Sequence, residues 1–394
     1  MAIEHLVPVS KELREYAEAQ PMGTIGRSIQ FLQDAEIPEF AEIKFALITV
    51  DEVRGVKQST TPPNPDLARK GLYELYEGNW SHAIMDLGHL EAGNELSDTY
   101  YAIGALQSWL RSEKVIPIIL GGGQDLTYAL YRHYDNSSYM VNVTSVDTHL
   151  DLAQGESSIH SRNYVNSMII QEPYNLYNYT CLGYQTFHNA QDELALLDQL
   201  MFDGLRLGKL KSDVTLVEPY LRDSDIVSID LDCLAAGSVG AMGLQLDKER
   251  SVHTSNPNGL DSMELCSIAR YAGISDRVGT FYVASMKGEN PIEASLISQL
   301  IWYFMEGVEH RTNEYPVDIS DHFVQHIVQF VDSDLKFYRS KVSGRWWVEI
   351  PFAFESHTKL KRHTLVPCSQ AEYDLAVSGT YPDRYLRARS KNEI

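Results

Sequence analysis

The amino-acid sequence predicts an α/β protein built on one mostly parallel sheet of about eight strands, with helices on both faces. Three observations predict it. Runs such as VIPIIL (Val115–Leu120) and DIVSIDL (Asp225–Leu231) are too uniformly apolar and β-branched for strands with a wet face, so they suit strands buried on both sides. Stretches with helical spacing lie between these runs. Strand–helix–strand order in a parallel sheet imposes right-handed crossovers, which lay helices on both faces.

In chain order the expected strands are Ala46–Val50, His82–Leu87, Val115–Leu120, Val141–Asp147, Thr180–Tyr184, Phe202–Leu207, Asp225–Asp232 and Val278–Ser285. Between them, Leu96–Leu110 places Leu96, Tyr100, Ile103, Leu106 and Leu110 at helical spacing. Asp192–Leu200, Ser262–Tyr271 and Ile292–Phe304 read the same way. No internal repeat or low-complexity tract interrupts the alternation. Composition shifts near residue 335. From Lys336 onward, 11 Lys and Arg face 6 Asp and Glu, a net +5, whereas the first 335 residues carry 22 against 48, a net −26. The chain therefore divides into an α/β unit over residues 1–335 and a basic extension over 336–394. The extension carries RWW (Arg345–Trp347) and KLKRH (Lys359–His363) but no clear βα pattern. It is expected to pack on the acidic core or on a neighbouring subunit, with Trp346 and Trp347 covered; a partner-binding patch is the alternative.

Composition narrows the function. With 44% hydrophobic and 22% charged residues the 394-residue chain is ordinary globular protein, neither disordered nor fibrous. Its formal charge of −21 argues against a nucleic-acid or anionic-membrane surface, which needs clustered Lys and Arg. No segment reaches the ~18 apolar residues of a membrane span, and the start lacks the apolar core of a signal peptide. The four cysteines are dispersed without a CxxC, as expected of reduced thiols in a cytoplasmic protein.

Chemistry concentrates at three strand ends: Ile118-Ile-Leu-Gly-Gly-Gly-Gln-Asp125, Ser145-Val-Asp-Thr-His-Leu-Asp151 and Ser228-Ile-Asp-Leu-Asp232. Ligands of parallel sheets bind beyond the carboxyl ends of strands. In extended chain Asp147, His149 and Asp151 point one way, as do Asp230 and Asp232. Four carboxylates and an imidazole in one crevice repel without a cation. A pair of divalent ions resolves this, and the oxygen and imidazole donors suit Mn²⁺, Zn²⁺ or Fe²⁺. Capping of the next helix is the simpler role for any one of these aspartates. The glycines 121–123 suggest a phosphate cradle only weakly, being neither a P-loop nor GxGxxG. Cys233 has no visible His partner for nucleophilic chemistry.

These motifs resemble the ureohydrolases, the family of arginase, agmatinase and formimidoylglutamase. GGGQD, DTHLD and DLDCL resemble the family's Gly-Gly-rich loop ending in His, its DAHxD and its DxDxxD. Thr254–Leu260 followed by Glu264 looks like the family's Pro-Gly-Gly-Leu-Thr segment. Met286-Lys-Gly-Glu-Asn-Pro291 looks like its Glu-Val-Asn-Pro segment. The resemblance spans about residues 40 to 310 and is nearest the formimidoylglutamase branch, in which GGG replaces GGD. It implies a three-layer α/β/α fold with eight parallel strands and a dinuclear manganese centre that cleaves a non-peptide C–N bond in a small linear amidine. By the same resemblance Asp147 and Asp230 would bridge the ions. Gln124 and Asp151 would complete one, and His149 and Asp232 the other. A bridging hydroxide would attack the amidine carbon, with the metals and Asp151 stabilising the tetrahedral intermediate.

The sequence departs from the pattern in three places. Gln124 replaces a metal-binding His and is a weaker donor. Gly288 stands where the family has a substrate-contacting Glu, with Glu289 one position late. Ala235-Ala-Gly replaces Asp-Pro. His160, in the loop after Asp151, is a candidate general acid. The expected function is a metal-dependent amidine hydrolase acting on a small molecule such as formimidoylglutamate. The alternative is a degenerate, non-catalytic protein of the same fold that binds or assembles with a protein partner. Homo-oligomerisation is open under both.

Overall fold

Ten strands form the central sheet of the computed structural model, which describes residues 2–33, 39–56, 64–156, 158–238, 256–288, 290–314, 321–330, 333–351 and 363–393. They are β1 (Leu6–Val7), β2 (Gln30–Phe31), β3 (Ile43–Val50), β4 (Ala83–Leu90), β5 (Ile116–Leu120), β6 (Val141–Val146), β7 (Leu176–Tyr184), β8 (Asp203–Arg206), β9 (Ile226–Asp230) and β10 (Thr280–Ala284). Their order is β1-β4-β3-β5-β10-β9-β6-β7-β8, with β2 beside β4. Every pairing is parallel except β1 with β4. The eight expected strands are β3 to β10. The two unanticipated edge strands have two residues each, too few to carry a period.

Alternate residues of each strand enter opposite cores. Leu47, Ile118, Ile229, Phe281 and Val283 join one apolar cluster with Leu265, Ile268, Leu300 and Phe304 of the helices Ser262–Ile274 and Pro291–Glu309. Ala46, Ile48, Ile119, Val143 and Tyr282 join the other with Leu106, Leu110, Leu126 and Leu130 of the helices Leu96–Ser112 and Leu126–Arg132. The result is three layers, as a sheet buried on both faces requires. Helix starts follow local chemistry. Asp261 caps Ser262–Ile274 and forms a reciprocal capping box with Glu264, and Asn290 with Pro291 at N1 opens the last long helix of this unit. Among the described residues no helix is long and apolar enough to cross a membrane.

The C-terminal part, read from sequence as lacking a pattern, forms a second sheet. β11 (Phe323–Gln329), β12 (Asp334–Ser340), β13 (Trp346–Glu349) and β14 (Leu365–Cys368) pair antiparallel in chain order, and the helices Gln370–Val377 and Asp383–Glu393 follow. Residue 336, where the composition shifts, lies inside β12, and the sheet begins at Phe323. β11 and β12 keep exposed or half-exposed residues between buried ones, and β13 and β14 have only four residues each, so no long apolar run marks the sheet. Trp346 and Trp347 are buried. Trp346 stacks on Tyr373 at 4.4 Å, and the Arg222 guanidinium lies 4.3 Å over Trp347. Cations of the extension meet carboxylates of the core, Arg345 with Glu218 at 3.4 Å and Arg387 with Asp198 at 3.0 Å. Tyr177 of β7 stacks on His363 at 3.6 Å.

Truncation after Leu335 is therefore expected to lower the melting temperature by several degrees. It strips β11 of most of its partner and uncovers Arg222, whose Nη2 donates to the Cys368 carbonyl at 3.0 Å. Water would then reach the apolar surface that Trp347 and Tyr385 cover, and burial of such side chains is worth about 1.5–3 kcal/mol each. Unchanged melting and an unchanged oligomeric state by sedimentation would make the extension an independent arm.

Candidate metal centre at the carboxyl ends of the strands

β6 and β9 are neighbours in parallel register, with Ser145 opposite Ser228 and Val146 opposite Ile229. One step further the register brings Asp147 and Asp230 to adjacent strand ends. Strand pairing of β6 stops at Val146, and the chain then turns rather than running on extended. The His149 amide donates to Asp147 Oδ1 at 2.9 Å, and Asp151 takes a left-handed φ of +55°, which Asp tolerates better than most residues. That turn returns the Asp151 carboxylate to Asp147. It also sends His149 outward, 27% exposed, with its ring 5.0 Å from that of His188. β9 behaves alike. The Asp232 amide donates to Asp230 Oδ1 at 2.8 Å in a tight 3₁₀ turn, leaving Asp230 buried and Asp232 58% exposed. The expectation that alternate residues share a face thus fails past both strand ends, because the turns break the period of two.

Gln124 is buried at the start of the helix Leu126–Arg132. Its Nε2 donates to Ser145 Oγ and Ser228 Oγ at 3.0 Å each and to the Tyr164 hydroxyl at 3.3 Å. Gln124 Oε1 and Asp151 Oδ2 are buried without a hydrogen-bond partner. Burial and the neighbouring Asp147 carboxylate hold Asp151 and Asp230 well above the usual carboxylate range. Burial pushes Asp147 the same way, but hydrogen bonding and charge from His149 outweigh it and leave its pKa lowered. Two cations approach the rim. Arg162 Nη1 reaches Asp151 Oδ1 at 3.3 Å, and Lys287 Nζ donates to Asp232 Oδ1 at 3.1 Å.

The inner oxygen donors, Gln124 Oε1 with the carboxylates of Asp147, Asp151 and Asp230, fit a divalent cation chemically. Two lack any hydrogen bond, and the cluster holds more negative charge than its surroundings offset. Among the described residues no three His, Cys, Asp or Glu side chains form a ready ligand group; His149 Nδ1 keeps 3.5 Å to Asp147 Oδ1, while Asp232 is more than half exposed.

The other candidates fall as follows. His160 is buried, its Nε2 3.0 Å from Glu156 Oε2 and its Nδ1 accepting from the Arg162 amide at 3.1 Å. Glu289 lies outside the described residues, as do Thr254, Ser255 and Lys359–Arg362. Gly288 has φ +76°, and a Cβ there would lie 2.5 Å from the Asn64 nitrogen, so this backbone admits no glutamate at that position. The amides of Gly121 and Gly123 donate to Val283 O and Glu52 O, which removes them from any phosphate cradle. Burial pushes the Cys233 thiol far up, as befits an inert thiol. Sequence reasoning missed Ser145, Ser228, Tyr164, Arg162 and Lys287. The two serines had a signal: each stands two residues before its aspartate in an SxD motif, on the same strand face. Arg162 and Lys287 had none.

A crevice of buried carboxylates at the carboxyl ends of a parallel sheet, closed by three layers, is a ureohydrolase design, and the chain belongs to the arginase family. Residues 63–280, more than half of the chain, match the family model described as "Arginase family". Within that family its similarity runs to formimidoylglutamases. The formimidoylglutamase of Photorhabdus laumondii subsp. laumondii is 25% identical over 237 residues, covering 54% of this chain and 73% of that protein. Two solved structures share the fold. The formimidoylglutamase from Bacillus subtilis aligns with a TM-score of 0.60 at 15% identity, over 73% of this chain and 93% of that one. The Trypanosoma cruzi formiminoglutamase with Mn²⁺ aligns with a TM-score of 0.59 at 14% identity, over 70% and 97%.

Proposed function

We propose that the protein is a metal-dependent hydrolase of a C–N bond in a small linear amidine, with formimidoylglutamate as the substrate suggested by the named relatives. One observation carries this reading: three buried carboxylates, Asp147, Asp151 and Asp230, are grouped, and one of their own oxygens, Asp151 Oδ2, together with Gln124 Oε1 accepts no hydrogen bond. Gln124, Asp147, Asp151 and Asp230 would hold the inner ion. His149 and Asp232, rotated inward and released from Lys287, would join Asp147 and Asp230 around a second. When bound, ions such as Mn²⁺ supply Lewis-acid stabilisation and lower the pKa of water. Asp151 would turn one carboxylate oxygen to the ion and use the other to take the proton that water loses as its oxygen adds to the amidine carbon. It would then return that proton to the departing nitrogen as the C–N bond breaks, giving an amide and an amine. Arg162 fixes Asp151, and His160 orients Arg162 through its backbone.

The test is metal content of protein purified without chelator, together with Mn²⁺-dependent conversion of formimidoylglutamate and its loss on EDTA treatment. Protein without metal, and with melting unmoved by Mn²⁺ or Zn²⁺, would defeat the proposal. The second reading, a non-catalytic binding or assembly protein, draws on Lys287, whose ammonium already neutralises Asp232. Metal uptake without turnover of formimidoylglutamate, arginine or agmatine would favour it.

Gln124→His tests the inner metal position. Imidazole is a better donor than an amide oxygen, so Mn²⁺ occupancy is expected to rise. The metal-free form should lose about 1 kcal/mol, because Ser145 and Ser228 lose their donor. Unchanged occupancy by metal analysis would mean that residue 124 does not ligate.

A further inference from the structure

A cavity of about 270 Å³ opens at the other end of the sheet, at the amino ends of β3, β5, β9 and β10. The intervening strands, about five residues at ~3.3 Å each, put it roughly 17 Å from the carboxylate crevice. Lys44, Arg111, Lys114 and Arg311 all line it. Among the described residues none of the four forms an ion pair. Arg277, also in the wall, is matched by Asp223 and Asp225, and the Asp276 carboxylate accepts the amides of Asn313 and Glu314 at 3.0 and 2.9 Å. Counting Arg277, five cations face the three carboxylates of Asp223, Asp225 and Asp276, a positive excess that is unexpected in a chain of net charge −21.

These cations are held in place rather than free to disperse. Arg311 donates from Nε to Gly273 O at 2.9 Å and from Nη2 to Val278 O at 2.8 Å. Arg111 lies 4.7 Å over the Tyr134 ring and donates to the Tyr139 hydroxyl. Lys44 is half-buried on β3. Burial, with Arg311 next, pushes its ammonium pKa down, and burial brings Arg311 to about 10. Like charges fixed in a partly buried cleft destabilise the folded chain unless an anion joins them.

We propose that this cavity binds the phosphate group of a small molecule. A phosphate brings up to two negative charges and acceptor oxygens on all sides, which suits a mixed Arg and Lys cluster. The wall also includes Val115 and Pro117, which offers apolar surface for an organic substituent. The proposal is independent of the hydrolase reading.

Calorimetric titration of the full chain with inorganic phosphate and with glycerol phosphate, at matched ionic strength, tests it. Millimolar or tighter binding of either is expected. Preference for the ester assigns the site to a phosphorylated metabolite, and equal binding assigns it to the free ion. Lys44→Gln should weaken binding about tenfold or more while melting no lower than the parent in phosphate-free buffer, since it removes an unpaired cation. Lys114→Asn, at an exposed residue with φ +61° that Asn accepts, should weaken binding without touching the interior. Three results would overturn the proposal: no binding heat from phosphate, affinity unchanged in both variants, or binding of succinate in preference to phosphate.

Discussion

Asp230→Asn is expected to abolish manganese binding and amidine hydrolysis while leaving the metal-free protein at least as stable as the parent. The two effects have opposite signs for one reason. Asp230 is buried beside Asp147, and burial followed by that charge holds its pKa well up. Asparagine removes the repulsion, and its Oδ1 can still accept the Asp232 amide that donates at 2.8 Å. What it lacks is the negative oxygen a divalent ion needs. In the parent, Mn²⁺ at a hundredfold excess over its dissociation constant should add about 2.7 kcal/mol of stability by mass action. In the variant that increment should vanish. Thermal melts with and without Mn²⁺, beside metal analysis, read both quantities. A variant that still gains stability from Mn²⁺ would move the metal away from Asp230.

Arg69→Leu should be the most damaging single change to the fold itself, by about 3–5 kcal/mol. Arg69 lies in the helix Asp66–Glu74 and is buried with its partner Asp86 on β4. Its Nε and Nη2 meet Asp86 Oδ2 and Oδ1 at 2.9 and 3.1 Å, and Nη2 also donates to Gly88 O at 2.7 Å. The Tyr73 hydroxyl and the Gly88 amide complete the carboxylate at 2.7 and 2.8 Å. Leucine would leave Asp86 buried with two neutral donors and no countercharge. Asp86→Asn added to Arg69→Leu should recover part of the loss, because it removes the stranded charge. Urea unfolding of the three variants completes the cycle. A single variant within 1 kcal/mol of the parent would show that water reaches the pair.

How much of this was legible in the sequence varied with the kind of feature. The strands β3 to β10 were, because burial on both faces leaves a continuous apolar record. So were the strand-end positions of Gln124, Asp147 and Asp230, because parallel strands deliver their carboxyl ends to one edge. The extension's sheet was not. Strands such as Asp334–Ser340 mix charged and apolar residues, and without an apolar run they resemble loop. The alternation rule also failed where it mattered most, at His149 and Asp232, since each lies one step into a turn whose shape its own aspartate imposes through a side-chain hydrogen bond.

By itself the sequence determined the three-layer fold, the family motifs and the acidic, carboxylate-rich character of the crevice, all consequences of local period and residue type. The tertiary structure alone decided that Asp147 and Asp230 meet, that Gln124 is pinned by Ser145 and Ser228, that Lys287 covers Asp232, and that four cations share one cavity. Those facts depend on strand register and on residues far apart in the chain. Gln124, bonded across 21 and 104 positions, takes its arrangement from packing that no neighbouring residue encodes.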